Sequence, residues 1–216
     1  MNIITSKANN VVKKAKKLHQ KKYRTDSYLI EGWHLFEEAL SSGAEIISIF
    51  ALSEYADRLS GCKQVYWLSP DLLRDLADSK TPQGIVAEVR LQQEVLPEKL
   101  SGKYLFLEDV QDPGNLGTII RTADAAGFDG IFISEHSADL YNLKTLRSMQ
   151  GSHFHLPIYR LATTDLIDLA KKSDLPIFVS TLSDDSIDYQ KLKGSQNFIL
   201  VMGNEGQGIS SMIEAA

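Results

Sequence analysis

The first half of the chain alternates short apolar runs with segments whose apolar residues recur at helical spacing. Such runs are typical of buried strands, and the helical spacing between them is typical of amphipathic helices. The alternation predicts a small α/β domain over residues 1–95. The predicted strands are 28–30, 46–52, 65–68 and 84–89, and the predicted helices are 33–40, 53–59 and 70–77.

The second half resumes the alternation after a polar stretch. Residues 96–102 include Pro97 and Gly102 and show no sustained period, which predicts a linker. In residues 103–216 each apolar run is followed by a helical segment, which predicts a parallel, doubly wound sheet. The predicted strands are 104–107, 130–134, 155–160, 177–181 and 198–202, and the predicted helices are 116–126, 142–149, 164–172 and 187–193.

Charge is distributed unevenly along the chain. Residues 1–24 carry eight Lys and Arg and no acid, so a net charge of −5 leaves −13 for the remainder. The segment also predicts a helix, capped by Ser6 or Asn10. A solvated lysine face and a phosphate-binding surface are both consistent with it, and a strongly cationic segment in an acidic chain favours RNA binding. Its apolar stripe is Val11, Ala15 and Leu18, and the RNA-binding candidates are Lys13, Lys14, Lys16, Lys17, Lys21 and Lys22.

Composition excludes several classes of protein. The chain has 216 residues, of which 43% are hydrophobic and 24% charged, which is typical of a globular protein. No apolar run is long enough for a membrane span, and the N-terminus lacks the apolar core of a secretory signal. Cys62 is the only cysteine, which excludes a disulfide and suits a cytoplasmic location. The five histidines lack ligand spacing, so we expect no metal site.

A first polar motif joins a buried strand to a helix. It spans 109–128, and its Asp-Pro-Gly-Asn turn predicts a helix that begins near Leu116 with Asn115 as its cap. Gly127 is the expected left-handed residue after the helix. Arg121 lies off the predicted apolar face. That face consists of Ile119, Ala123 and Ala126.

A second polar motif follows the last strand. Gly203 to Gly208 connects it to a helical segment, and two such strand–loop–helix elements imply a crevice at the carboxyl ends of the strands. The glycine order does not fit the dinucleotide fingerprint, and neither a Walker A loop nor a nucleophile elbow is present. A purely structural interpretation remains open, with Arg121 paired to Asp124 on the helix.

Together the two motifs resemble those of a known family. D-P-G-N-L-G-T-I-I-R-T-A-D-A-A-G-F is similar to the first motif of the SpoU/TrmH family of RNA ribose 2′-O-methyltransferases, and V-M-G-N-E-G-Q-G-I-S to its second. The resemblance implies a parallel-sheet SPOUT domain of the trefoil-knot type with S-adenosylmethionine as cofactor. Glu31-Gly32 and Thr81-Pro-Gln-Gly84 resemble the substrate-binding domain that precedes it in many relatives, a module similar to ribosomal protein L30e.

The resemblance also implies roles for single residues. Arg121 would activate the ribose 2′-hydroxyl, Asn115 would position the hydroxyl or the helix, and Glu205 would orient the arginine or contact the nucleotide. Because guanidinium stays protonated in proteins, we favour electrostatic stabilisation of a developing alkoxide by Arg121 over proton abstraction. The implied cofactor contacts are Thr181, Leu182, Gly203, Asn204, Gly206 and Gly208.

Partners and completeness follow from the same resemblance. It implies an RNA substrate, rRNA in preference to tRNA, and a homodimer at full length. The third motif of the family would follow Ala216, so we expect a truncated chain with an incomplete cofactor pocket. A non-catalytic RNA-binding protein that uses the basic N-terminal domain is the alternative function.

Overall fold

The computed structural model describes residues 2–181, 186–188 and 196–216. The chain forms two compact units, which are described separately. Unit 1 comprises Met1–Gln93 and Asp139–Phe154, and unit 2 comprises Glu94–Ala138 and His155–Ala216.

Strands and helices in the described residues alternate along most of the chain. The strands are β1 (Ile3–Ile4), β2 (Ser27–Glu31), β3 (Ile46–Ala51), β4 (Val65–Leu68), β5 (Ile85–Arg90), β6 (Lys103–Leu107), β7 (Gly130–Ile133), β8 (Ile158–Arg160), β9 (Ile177–Ser180) and β10 (Phe198–Met202). The helices are α1 (Asn10–Lys17), α2 (Trp33–Ser41), α3 (Pro70–Leu76), α4 (Pro113–Ala125), α5 (Leu143–Met149), α6 (Thr163–Ser173) and α7 (Ser211–Glu214).

Unit 1 is built on a mixed five-stranded sheet in the order β1-β4-β3-β5-β2. β5 runs antiparallel to both of its neighbours, and the other pairs are parallel. The strand Ile3–Ile4 was not predicted, because two residues are too few to show a period. The helix expected over 53–59 is wrong, since only a 3₁₀ turn forms there, at Ser53–Tyr55.

The basic N-terminal segment forms α1, as predicted, but its cap is a different residue. The side chain of Asn9 accepts a hydrogen bond from the amide of Val11 at 2.9 Å, so neither Ser6 nor Asn10 is the cap. Since capping requires a side-chain oxygen just before the first helical residue, the one-residue shift follows from the actual helix start. The buried stripe is Val12, Ala15 and Leu18, whereas Val11 is half-buried.

Segment 139–154 belongs to unit 1, although it follows β7 in the chain. The buried guanidinium of Arg24 pairs with Asp139, and Arg147 pairs with the buried Glu31 at 3.3 Å. Arg24 is therefore a packing residue and not part of the cationic surface. The domain limits 1–95, 96–102 and 103–216 stay a prediction. The sequence indicates that 142–149 forms a helix, but it does not indicate which unit that helix packs against.

Unit 2 contains a five-stranded sheet in the order β8-β7-β6-β10-β9, and all of its strand pairs are parallel. This confirms the predicted parallel sheet. The strand expected over 155–160 is shorter, because a 3₁₀ turn at Ser152–Phe154 precedes it. The predicted helix 187–193 lies mostly outside the described residues. The core includes Phe106, Phe132, Leu166, Ile199 and Val201.

Candidate active site

Two loops leave the sheet of unit 2 side by side. β6 and β10 are paired with Leu107 opposite Met202, and their carboxyl ends continue into loops 108–112 and 203–208. The strand order reverses here, since β7 and β8 lie on one side of β6 while β9 lies beyond β10. Ligands of open α/β sheets bind in the crevice at such a reversal. The topology thus brings both motifs to one edge of the sheet.

Helix α4 begins earlier than predicted, and Asn115 is not its cap. The carboxylate of Asp112 accepts a hydrogen bond from the amide of Asn115 at 2.9 Å, and Pro113 occupies the first turn. Proline suits that position because the first-turn amides have no partner within the helix. The buried face also differs from the predicted one, since Ile119 is only half-buried and Ala126 is exposed. The buried residues are Leu116, Gly117, Ile120 and Ala123.

The side chain of Asn115 joins the two motifs. Its amide nitrogen donates a hydrogen bond to Oε1 of Glu205 at 3.0 Å, and the amide of Gln111 lies 3.5 Å from Oε2. These bonds favour the ionised form, so the pKa of Glu205 is lowered, chiefly by the Asn115 side chain and then by backbone amides. Two of the three predicted catalytic residues are therefore in direct contact.

Arg121 does not join this pair. It is exposed, and it makes no ion pair or hydrogen bond to any part of the chain that the structure describes. Six positions separate it from Asn115 on α4, a rotation of about 240°. The structure shows no contact between Arg121 and Glu205, so the role of Glu205 towards the arginine or the nucleotide stays a prediction. The alternative pairing of Arg121 with Asp124 is also absent, because the carboxylate of Asp124 lies 3.1 Å from Nδ1 of His155.

The glycine loop, residues 203–208, is held by its own backbone and one side chain. Oδ1 of Asn204 accepts hydrogen bonds from the amides of Gly206 and Gln207 at 2.8 and 2.9 Å, and its Nδ2 donates to the carbonyl of Asp109 at 2.8 Å. A Cβ added at Gly203 would lie 2.3 Å from the carbonyl carbon of Gly208. The loop therefore closes tightly on itself, which requires glycine at position 203.

The neighbouring strand contributes a further segment at the same edge. β9 pairs with β10 so that Ser180 lies opposite Met202, and Thr181 consequently leaves the sheet beside Gly203. Leu182, the other predicted cofactor contact after β9, lies outside the described residues.

Glu108 is a buried carboxylate that the sequence analysis missed. It accepts hydrogen bonds from the hydroxyl of Thr163 at 3.0 Å and from the amide and hydroxyl of Ser210 at 2.8 and 2.7 Å. Since a buried acid must be hydrogen-bonded, this residue ties the end of β6 to the start of α6 and to the end of the second motif. The sequence feature that could have identified Glu108 is an acidic residue directly after an apolar strand.

The predicted RNA-binding lysines lie on and after α1, and all six are exposed. Nζ of Lys16 lies 2.5 Å from Asp75, and this contact lowers the pKa of Asp75. The ammonium groups of Lys17 and Lys22 lie 5.6 and 4.9 Å from the centre of the Tyr23 ring. The surface thus combines cations with an exposed aromatic ring, as nucleic-acid surfaces often do.

The described residues contain neither a candidate metal cluster nor a candidate membrane span. No group of three or more His, Cys, Asp or Glu side chains in residues 2–181, 186–188 and 196–216 is arranged to hold a metal ion. Within the same ranges, no helix has the length and apolar character needed to span a membrane.

A parallel sheet with two polar loops at its reversal point defines an α/β enzyme domain, and comparison with known proteins specifies the family. Residues 102–216 match the SpoU rRNA Methylase family, and residues 9–87 match the MRM3-like substrate binding domain. The chain belongs to the SpoU rRNA methylase family. This confirms the predicted family, the α/β fold class and the enzyme class, an S-adenosylmethionine-dependent RNA 2′-O-methyltransferase.

Individual relatives are similar over most of the chain. The 23S rRNA (guanosine(2553)-2′-O)-methyltransferase RlmP of Bacillus subtilis is 41% identical over 99% of this chain and 86% of its own. A 23S rRNA (uridine(2479)-2′-O)-methyltransferase of Streptomyces viridochromogenes is 33% identical over 67% of this chain and 53% of its own. The AdoMet-bound rRNA methyltransferase of Sinorhizobium meliloti has a TM-score of 0.87 at 30% identity, covering 99% of this chain and 85% of its own.

The residues present fit the cofactor. The glycines of 203–208 leave stretches of backbone uncovered by side chains, so a flat polar ligand can approach the loop closely. The roles of single residues in catalysis and cofactor binding stay predictions, as does the trefoil knot.

The contact between Asn115 and Glu205 predicts a measurable pKa change. Asn115→Leu removes the main donor to the carboxylate, so the pKa of Glu205 should rise towards its ordinary value. Because the folded-state pKa is lowered, the stabilisation from Glu205 is present at neutral pH and lost as pH falls through that pKa. Carbon-detected NMR of labelled glutamates gives the titration, and Thr118→Val, which retains the contact, serves as the control. An unchanged titration in Asn115→Leu would contradict the assignment.

Proposed function

We propose that this protein transfers the methyl group of S-adenosylmethionine to the 2′-hydroxyl of a guanosine in 23S rRNA. The observation that carries the proposal is 41% identity over 99% of the chain to an enzyme named for that reaction. The relative named for a uridine is less similar and covers less of the chain, which favours guanosine. On the same grounds we propose rRNA, in preference to tRNA, as the substrate.

The proposed reaction is an in-line displacement. When bound, S-adenosylmethionine supplies an electrophilic methyl group whose leaving group is a neutral thioether. The ribose oxygen forms the new bond to carbon as the carbon–sulfur bond breaks, and the hydroxyl proton passes to water. The protein must therefore align the two substrates and stabilise negative charge on the ribose oxygen.

Three side chains are proposed for these tasks. Arg121 supplies a cation that no described carboxylate neutralises, which supports a role in stabilising the developing alkoxide. Asn115 and Glu205 are fixed to one another and offer a hydrogen-bond donor and acceptors at the mouth of the crevice. This pair is proposed to hold the target nucleotide, while the glycine loop and Thr181 hold the cofactor.

The proposal is tested by mapping 2′-O-methyl groups in 23S rRNA from cells with and without the gene. One guanosine should lose its methyl group in the deletion and regain it on complementation. Loss at a uridine, or in tRNA alone, would overturn the substrate assignment.

The α1 surface is proposed to bind RNA phosphates, which gives a second prediction. Replacing Lys13, Lys14, Lys16 and Lys17 by Ala should weaken RNA binding, with the slope of log affinity against log salt falling by about 0.7 to 0.9 per lost contact. Fluorescence anisotropy at several salt concentrations measures the slope. The matched control removes the same number of charges from exposed lysines elsewhere. Equal slopes in the two variants would mean that the lysines of α1 face solvent and make no specific phosphate contacts. The control positions are Lys63, Lys99, Lys171 and Lys172.

The alternative, a non-catalytic RNA-binding protein, is disfavoured by the Asn115–Glu205 contact and the closed glycine loop, which RNA binding by unit 1 would not need. We further propose a cytoplasmic homodimer, which the family resemblance implies. Sedimentation of the full-length protein at several concentrations tests the dimer, and a monomer throughout would contradict it.

A further inference from the structure

A polar row crosses one face of the sheet in unit 1. Glu88 lies in β5 between Ser27 of β2 and Ser48 of β3, and its side chain accepts hydrogen bonds from both hydroxyls, at 2.7 and 2.8 Å. Glu88 is only 4% exposed. A buried carboxylate is costly unless its oxygens are satisfied, and each oxygen here accepts one of the roughly two bonds that its lone pairs allow. One acceptor position per oxygen is therefore still available.

Two clefts beside α1 are lined in part by Glu88. The larger, of about 410 Å³, is bounded by Tyr66 on the sheet side. The smaller, of about 280 Å³, is bounded by Lys17 and Tyr23, and its lining also includes the charged residues Asp26 and Arg90. Glu88 and Lys14 line both clefts. The space is thus a polar groove between α1 and the sheet, with a carboxylate at its floor and lysines at its rim.

The chemistry of the groove suits a nucleotide. Lysines at the rim attract a phosphate and repel a cationic peptide, while the carboxylate at the floor repels a free anion. Tyrosine rings at the walls provide surfaces on which a base can stack. A ligand with a phosphate at one end, a flat ring, and N–H donors at the other end satisfies all three features.

Among the bases, guanine matches the carboxylate best. Its N1–H and N2–H donors are parallel and face both oxygens of a carboxylate together, whereas adenine, cytosine and uracil offer at most one ring-edge donor flanked by acceptors. Unpaired RNA bases are commonly recognised in this way, through stacking and through contacts to the Watson–Crick edge.

We propose that the groove holds an unpaired guanine of the substrate RNA, and that Glu88 selects this base. The groove lies in unit 1, whereas the residues proposed for methyl transfer lie in unit 2. The inference rests on the proposed function only in taking the ligand to be the substrate RNA. Binding itself requires no methyl transfer.

The test measures base preference by fluorescence anisotropy. The labelled RNA pentamers carry uridine at every position except the central one, which is guanosine, inosine, adenosine, cytidine or uridine. The protein should prefer guanine to inosine, which lacks the N2 donor. Glu88→Gln places an amide at the floor, and the guanine preference should fall about tenfold. The serine hydroxyls can exchange donor and acceptor roles, so the fold should survive, and thermal unfolding checks this. Glu54→Gln, an exposed position outside both clefts, is the matched control.

Three results would overturn the proposal: equal affinity for all five oligonucleotides, a preference that persists in folded Glu88→Gln, or a preference equally lost in Glu54→Gln. If Glu88→Gln does not fold, NMR of the wild-type protein tests the proposal instead. The guanine oligonucleotide must then shift the amide signals of Glu88 and Ser48 more than the inosine oligonucleotide does. Arg121→Ala should keep the preference, so failure of methyl transfer is distinguishable from failure of this site.

Discussion

Arg121→Ala in the full-length protein should lower methyl-transfer turnover by on the order of 10²–10³ while RNA and cofactor affinities change only a few fold. The negative charge that Arg121 is proposed to stabilise develops only in the transition state, so ground-state binding has little to lose. Among the described residues the side chain makes no ion pair that would assign it to stability. Single-turnover kinetics and equilibrium binding separate the two effects.

Two further variants sharpen this test. Arg121→Lys keeps the charge but loses the planar fork of the guanidinium, and it should rescue turnover poorly if that fork holds the ribose oxygen. Arg74→Ala removes an exposed arginine that, among the described residues, pairs only with Asp71 on the same helix, and it should leave turnover unchanged. If Arg121→Ala abolishes RNA binding or unfolds the protein, with no separate effect on turnover, the catalytic assignment is wrong.

Gly203→Ala should lower the affinity for S-adenosylmethionine by on the order of 100-fold, since losing two hydrogen bonds of about 1.4 kcal/mol each has an effect of that size. The added Cβ would lie 2.3 Å from both the carbonyl carbon and oxygen of Gly208, and only a backbone shift relieves such contacts. Gly206→Ala is the matched control, because its Cβ would meet nothing closer than Oδ1 of Asn204 at 3.6 Å. Calorimetry measures the affinity of both variants for S-adenosylmethionine. If both variants bind S-adenosylmethionine as tightly as the unaltered protein does, the glycine loop is not part of the pocket.

Strands were easier to predict than the starts of helices. The limits of β10 were predicted to the residue, Phe198–Met202, because a continuous apolar run is bounded on both sides by polar residues and glycine. The start of α4 was misplaced because Asp112-Pro113-Gly114-Asn115 suits a turn and a capped helix start equally well. Local sequence chemistry does not distinguish these two uses of the same residues.

The site was predictable in its location but not in its contacts. Two motifs after parallel strands had to meet at one edge of the sheet, and they do. That Glu205 contacts Asn115 and not Arg121 depends on which face of α4 is turned towards the second loop, and the sequence does not determine this orientation. Glu108 was missed because its importance comes from Thr163 and Ser210, which are distant in sequence.

The proposed reaction is tested most directly by following the methyl group itself. The full-length protein is incubated with unmethylated 23S rRNA and S-adenosylmethionine carrying a deuterated methyl group, and the RNA is digested to nucleosides for mass spectrometry. We predict that the label appears in 2′-O-methylguanosine and is absent when the target guanosine carries a 2′-deoxyribose. Label on a base, or label that persists in the deoxy substrate, would contradict ribose 2′-O-methylation.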